Sequence, residues 1–223
     1  MLFARGFNDP VPIEYPPSPW RRYEGYFKDN NIDGKGVFEF ANDAKYQGEF
    51  LANKKHGRGI FTWKNGNRYR GEFAHDRMSG FGEMIYNSTG HRYVGHWANN
   101  KKEGDGTFWY TDGNIYTGAF KDDVKHGFGK LLYRPGTLVE ESYEGMFDRG
   151  VRHGHGKYIY KAQSGITYEG CWHRGLRHGK GMLRWPDGRF YRGNFVRERQ
   201  TGRGLMAWPD GSQYVCSLCP VFF

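Results

Sequence analysis

Four histidines, His56, His126, His153 and His178, each stand directly before a Gly-x-Gly triplet. Imidazole is a common metal ligand and general base, so metal and acid–base chemistry are the first readings to weigh. If each triplet opens one strand of a hairpin, equivalent histidines on adjacent hairpins lie about 10 Å apart, whereas two ligands of one zinc lie within ~4 Å. The expected role is therefore a turn residue bonding local backbone. Cys216-x-x-Cys219 is one pair with no second pair and no spaced histidine pair, which reads as unpaired structural thiols rather than a zinc knuckle. The string His-Gly-x-Gly has the look of a hydrolase oxyanion loop, yet no Gly-x-Ser-x-Gly nucleophile elbow occurs. A phosphate-binding Gly-x4-Gly-Lys-Ser/Thr loop is likewise missing, and Gly-x-Gly here opens a strand rather than a helix. The expectation is no catalytic residue, no metal and no cofactor.

Charge is the remaining chemistry. The chain carries 33 Lys+Arg against 24 Asp+Glu, a net +9. Eight polar six-residue segments, taken as hairpin tips (28–33, 51–56, 74–79, 98–103, 121–126, 148–153, 173–178 and 196–201), hold 14 basic and 8 acidic residues. Lys54, Lys55, Lys101, Lys102, Lys125, Arg152, Arg174 and Arg177 are expected to form a ladder for an extended acidic surface: anionic phospholipid, an acidic tubulin tail or an acidic protein. The plainer reading is a set of solvated tips that discourage edge association. Nucleic acid fits the sign but is not expected, because the rings it would stack on belong to the repeat.

The elements that place these residues are repetitive. Among 223 residues there are 34 glycines, with 7 Trp, 16 Tyr and 17 Phe. So many rings argue against a disordered polymer, and so much glycine argues against helices. Mean hydropathy is −0.85, and no window approaches the ~20 apolar residues of a membrane-spanning helix. No signal-peptide run is recognised at the N-terminus, and three cysteines suit a reducing cytosol.

Tyr-x-Gly recurs at Tyr23, Tyr46, Tyr69, Tyr93, Tyr116, Tyr143, Tyr168 and Tyr191, at intervals of 23, 23, 24, 23, 27, 25 and 23 residues. Gly-x-Gly follows each at a constant offset, from Gly34/Gly36 to Gly202/Gly204. An aromatic stands four residues after each tyrosine (Phe27 to Phe195), and another four after the second glycine of each triplet (Phe40, Trp63, Tyr86, Tyr110, Tyr133, Tyr160, Trp185, Trp208). The period of two predicts two short strands per unit, with glycine and aromatics on one face and mostly polar residues on the other. A glycine between two rings leaves a slot that a ring from the neighbouring strand is expected to fill. Turn signals such as Asn65-Gly66, Asp112-Gly113, Asp187-Gly188 and Asp210-Gly211 link the units.

This pattern, seen in YQGEFLANKKHGRGIFTW, YTGAFKDDVKHGFGKLLY and YEGCWHRGLRHGKGMLRW, resembles the MORN (membrane occupation and recognition nexus) repeat family over residues 21–211. The resemblance implies an all-β fold, an elongated single-layer antiparallel sheet of stacked β-hairpins, roughly 75 Å long at two strands per unit. Residues 1–20 are then a Pro-rich N-terminal extension or cap. Residues 212–223 start a degenerate ninth unit, with Cys216 in place of glycine, and end in an apolar cap or partner contact. The longer interval before Tyr143 suggests a bulge or kink near residues 136–142. The resemblance further implies a non-catalytic scaffold of a cytoskeletal assembly, notably the ciliary or flagellar axoneme with its radial spokes. A helical or extended segment of a structural partner would dock on the aromatic face at Trp63, Tyr110, Tyr133, Tyr160, Trp185 and Trp208. The alternative is a peripheral membrane tether through the basic tips; a homodimer, or a regulatory subunit of an enzyme on another chain, is also compatible.

Overall fold

The structure is a computed structural model that describes residues 11–13 and 20–218. The chain divides into two compact units, Met1–Thr111 and Asp112–Phe223. The first holds β1 (Val11–Ile13), β2 (Trp20–Lys28), β3 (Asn31–Phe40), β4 (Lys45–Leu51), β5 (Lys54–Thr62), β6 (Arg68–Ala74), β7 (Arg77–Tyr86), β8 (His91–Ala98) and β9 (Lys101–Trp109). The second holds β10 (Ile115–Lys121), β11 (Val124–Tyr133), β12 (Glu141–Asp148), β13 (Val151–Tyr160), β14 (Ile166–His173), β15 (Leu176–Arg184), β16 (Phe190–Val196), β17 (Arg199–Ala207) and β18 (Gln213–Leu218). One 3-10 turn, Ala162–Ser164, is the sole helical element among the described residues. Within each unit consecutive strands pair antiparallel, and the chain is all-β.

Register centres on glycine. In the first unit Gly25, Gly36, Gly48, Gly59, Gly71, Gly82, Gly95 and Gly106 stand opposite one another in an unbroken line across eight strands. In the second unit a like line runs from Gly118 to Gly204 and meets Cys216 on β18. Polar residues flank the line on one face and rings cover it on the other.

The hairpin ends differ from the sequence expectation. Pairing continues through the supposed tips, as in Phe27↔Ile32 and Lys28↔Asn31, and leaves a loop of two residues. Both turn residues have positive φ in every hairpin, from Asp29 (50°) and Asn30 (60°) to Arg197 (46°) and Glu198 (75°). This is the mirror-type turn whose twist matches that of paired strands. Gly150 and Gly175 fill its second position, and Ala52, His75 and Arg149 hold its first against their own preference. Inside each hairpin the first glycine of Gly-x-Gly, with φ between 60° and 96°, lies in a bulge where the register shifts. That bulge reconciles a fixed nine-residue offset with so short a loop.

The second turn residue ties each hairpin to the one before it. Asn53 donates its N–H to the Ile32 carbonyl (2.9 Å), and its Oδ1 accepts the Ile32 N–H (2.8 Å). Asn100 does the same for Met78, and Asp76 for Lys55. The side chain stands in for a strand carbonyl where the bulge has interrupted the ladder. Ile32 is buried, so Asn53→Ala leaves its N–H unpaired and is expected to cost about 1–3 kcal/mol. Asn53→Asp keeps the acceptor, and urea titration of both variants should show the smaller loss for the aspartate.

The long linker before Tyr143 makes no kink in the ladder. Tyr133↔Glu141 and Leu131↔Tyr143 stay in ordinary register, and the extra residues close outside it through Thr137 N–H to Arg134 O and Glu140 N–H to Thr137 O. At the N-terminal side β1 pairs with β2 through Val11↔Gly25 and Ile13↔Tyr23. The rest of the Pro-rich extension and residues 219–223 of the apolar tail lie outside the described residues.

Candidate interaction faces

The aromatic face is built in three tiers. The eight repeat tyrosines are at most 1% exposed. Each ring lies over the glycine two residues on and over that glycine's cross-strand partner: an added Cβ at Gly59 would stand 2.5 Å from Tyr46 Cε2, and at Gly129 2.6 Å from Tyr116 Cε2. One tyrosine thus fills two slots: the one over the glycine of its own strand, and, as expected of a ring from the neighbouring strand, the one over that glycine's cross-strand partner. The ring is held in this place because the phenol reaches along its own strand to donate to the carbonyl three residues ahead, as Tyr46 does to Glu49 (2.9 Å) and Tyr143 to Met146 (2.8 Å).

The second tier is the aromatic four residues after each tyrosine, which meets that tyrosine edge-to-face. Tyr46 lies 5.0 Å from Phe50 and 5.1 Å from Phe73 of the next hairpin; Tyr143 lies 5.1 Å from Phe147 and 5.3 Å from Trp172. Such contacts repeat within each unit and weld successive hairpins. Burial pushes the phenols up, Tyr143 to about 12 and Tyr46, Tyr69, Tyr158 and Tyr168 further.

The third tier holds the residues proposed as partner anchors. In the first unit Trp63 and Tyr110 are half-exposed and rest on Phe61 and Phe108, each at 4.6 Å. In the second unit Tyr133, Tyr160 and Trp185 are half-exposed and Trp208 is 39% exposed. Tyr160 rests on Tyr158, and the Arg189 guanidinium lies 4.9 Å above Trp185.

The basic ladder does not form as drawn. Lys54, Lys101 and Arg174 point outward and are exposed. Lys55, Lys102, Lys125, Arg152 and Arg177 occupy another repeat position and turn in over the rings. Lys55 Nζ lies 5.6 Å from Phe61, Lys102 Nζ 5.5 Å from Phe108, and the Arg152 guanidinium 4.3 Å from Trp172. Lys55 pairs with Asp76 (3.1 Å) and Arg177 with Glu198 (2.6 Å). Desolvation, and then Arg152, hold the Lys125 ammonium below its ordinary value. The physical reason is the bulge: it leaves a ring-floored gap that a long apolar stem can fill. Ile32 and Met78 fill the same position in other hairpins, and that mixture of Ile, Met, Lys and Arg was the overlooked sign of burial.

The histidines do not take up a common backbone bond. His56 Nδ1 is buried with no hydrogen-bond partner, and His126 approaches Asp148 of the next hairpin (3.5 Å). His173 stands between His153 and His178, at 5.1 and 5.6 Å between ring centres. No group of three metal-ligating side chains is arranged to hold an ion among the described residues. Cys219 lies outside them, so the Cys216-x-x-Cys219 pair is not described. No helix among the described residues is long and apolar enough to cross a membrane.

The family profile described as "MORN repeat" matches eight times, at residues 23–45, 46–68, 69–90, 93–115, 116–138, 143–164, 168–188 and 191–213. No curated protein is matched. Among solved structures the chain is similar to the TCP domain of SAS-4 (dCPAP) of Drosophila melanogaster, in complex with a proline-rich motif of Ana2 (dSTIL). That likeness is 15% identical, covers 72% of this chain and 84% of that one, and has a TM-score of 0.44. A mutant of the TCP10 domain of Danio rerio CPAP is 12% identical over 81% of this chain and 98% of that one, with a TM-score of 0.31.

Proposed function

This chain belongs to the MORN-repeat family, and from that premise we propose that it is a structural scaffold of a cytoskeletal assembly, most specifically the ciliary or flagellar axoneme in a radial-spoke-like setting. Repeats of this family generally serve as non-catalytic binding modules. The observation that carries the reading is the third aromatic tier. The first two tiers are closed by their own packing, while Trp63 and Tyr110 in one unit, and Tyr133, Tyr160, Trp185 and Trp208 in the other, keep ring surface open to a partner. A helical or extended segment of another structural protein would seat its apolar side chains there.

Two measurements test this. The tagged protein should remain with detergent-extracted axonemes; a diffuse cytosolic distribution overturns the assignment. Trp63→Ala with Trp185→Ala should lower recovery of the co-purifying partner about tenfold or more, since buried interface tryptophans often carry over 2 kcal/mol. Unchanged recovery would remove the aromatic face from the interface. The membrane-tether reading has less support, because only Lys54, Lys101 and Arg174 of the eight basic residues point outward.

A further inference from the structure

The face opposite the rings is not electrically uniform. Four positions per repeat flank the glycine line there: the residues one and three after each tyrosine, the centre of Gly-x-Gly, and the residue after it. Over the first unit's four repeats these hold three basic and five acidic residues. Over the second unit's four repeats they hold five basic residues (Lys130, Lys157, Lys180, Arg192, Arg203) and two acidic ones (Glu144, Glu169). Lys180, Arg192 and Arg203 are exposed and enter no ion pair with another described residue. They are close neighbours: Lys180 faces Asn194 while Arg192 faces Met182 across β15–β16, and Arg192 faces Leu205 beside Arg203 across β16–β17.

The first unit shows what such a place accepts. Glu49 and Glu72, each three residues after a tyrosine, lay their carboxylates over the bulge glycines Gly57 and Gly80. Each then accepts the next backbone N–H, that of Arg58 or Phe81 (both 3.4 Å). In the second unit the same position is held by Ala119, Met146, Cys171 and Asn194. Over Gly154 and Gly179 the nearby side-chain atoms belong to Met146 and Cys171, and over Gly202 the sole atom of a described residue within 4 Å is Asn194 Nδ2. A carboxylate seat that two repeats of the first unit fill from their own chain holds no carboxylate of a described residue here, beside three cations that pair with no described residue.

We propose that the polar face of the second unit between β15 and β17 binds an acidic segment of another polypeptide, whose glutamate side chains take the places over Gly179 and Gly202 that Glu49 and Glu72 take over Gly57 and Gly80. The internal precedent is a carboxylate on a flexible stem reaching a backbone N–H, which an extended peptide reproduces and a flat lipid surface does not. None of the four positions in the last two repeats carries a ring on which a nucleobase would stack. This surface is independent of the aromatic-face reading, so either can fail alone.

The test is fluorescence anisotropy of a labelled glutamate-rich peptide with the full chain. Combined Lys180→Ala, Arg192→Ala and Arg203→Ala should weaken binding by about tenfold or more, and binding should fall steeply as salt rises. The outward tip triple, Lys54→Ala, Lys101→Ala and Arg174→Ala, should change it less than about twofold. Cys171→Glu gives the second unit its own carboxylate over Gly179 and should weaken binding by about fivefold without removing a cation. Equal losses from both triples, or full binding by Cys171→Glu, would overturn the site. So would binding to phosphatidylserine vesicles or single-stranded RNA without binding to the peptide. Circular dichroism confirms that each variant is folded.

Discussion

Gly48→Ala should unfold most of the first unit at room temperature or lower its stability by about 3 kcal/mol or more, above the usual overpacking cost because the obstacle is main chain. A Cβ built on Gly48 lies 2.5 Å from Gly59 Cα, 2.5 Å from the Tyr46 hydroxyl and 2.7 Å from the Arg58 carbonyl. A flexible side chain would swing aside, but Gly59 and Arg58 present backbone, and the Tyr46 ring is completely buried. Relief would require the two strands to part where they are locked by Gly48↔Gly59. Gly113→Ala is the conformational control. Gly113 has the positive φ (87°) that Gly48 lacks, with no described atom within 4 Å of the added methyl, so only backbone strain of about 1 kcal/mol opposes it. Thermal melts of the two variants separate a steric role for the glycine line from a merely conformational one. Equal losses would mean that the rings do not depend on bare glycine beneath them.

The second large effect is alkaline. Burial raises the phenol of Tyr143 to about 12 and those of Tyr46, Tyr69, Tyr158 and Tyr168 beyond it, while an unfolded chain ionises tyrosine near 10. Above about pH 10 the unfolded chain therefore binds fewer protons than the folded one, and stability falls with rising pH; below that value the contribution is fully present. Because several phenols are withheld together, tyrosinate absorbance should rise in one steep step that coincides with loss of the β-sheet dichroism. A gradual rise near pH 10 with the fold intact would show that the rings are open to water.

Much of this architecture is legible in the chain. Glycine at fixed offsets from tyrosine places both on one face, because strand side chains alternate, and the structure keeps that face assignment for every repeat. What escaped reading came from backbone conformation that ordinary residues adopt only under tertiary pressure. Ala52, His75 and Arg149 carry no local signal for a left-handed turn, so the tips looked like six-residue loops. The bulge at the first glycine of Gly-x-Gly was equally silent, since a glycine in a strand is compatible with either hand of φ. The same bulge draws Lys55, Lys102, Lys125, Arg152 and Arg177 over the rings, although their charge alone points to water. The third aromatics are legible as a set from their one repeat position, but not the cationic stems that lie over some of them, as Arg189 does over Trp185 and Arg177 over Tyr160.

The undisturbed ladder around the long linker before Tyr143 has a consequence for how such chains change. Tyr133↔Glu141 is paired as its counterparts are, and Leu138 at the crest of the linker is 74% exposed. Added length at this place therefore leaves the pairing unchanged, while within the stretch from tyrosine to Gly-x-Gly a single added residue would turn the side chains beyond it in that strand to the other face. The linker is a natural port for genetic insertion: a fluorescent label or a second module placed at Thr137-Leu138 would be carried by the sheet without being felt by it.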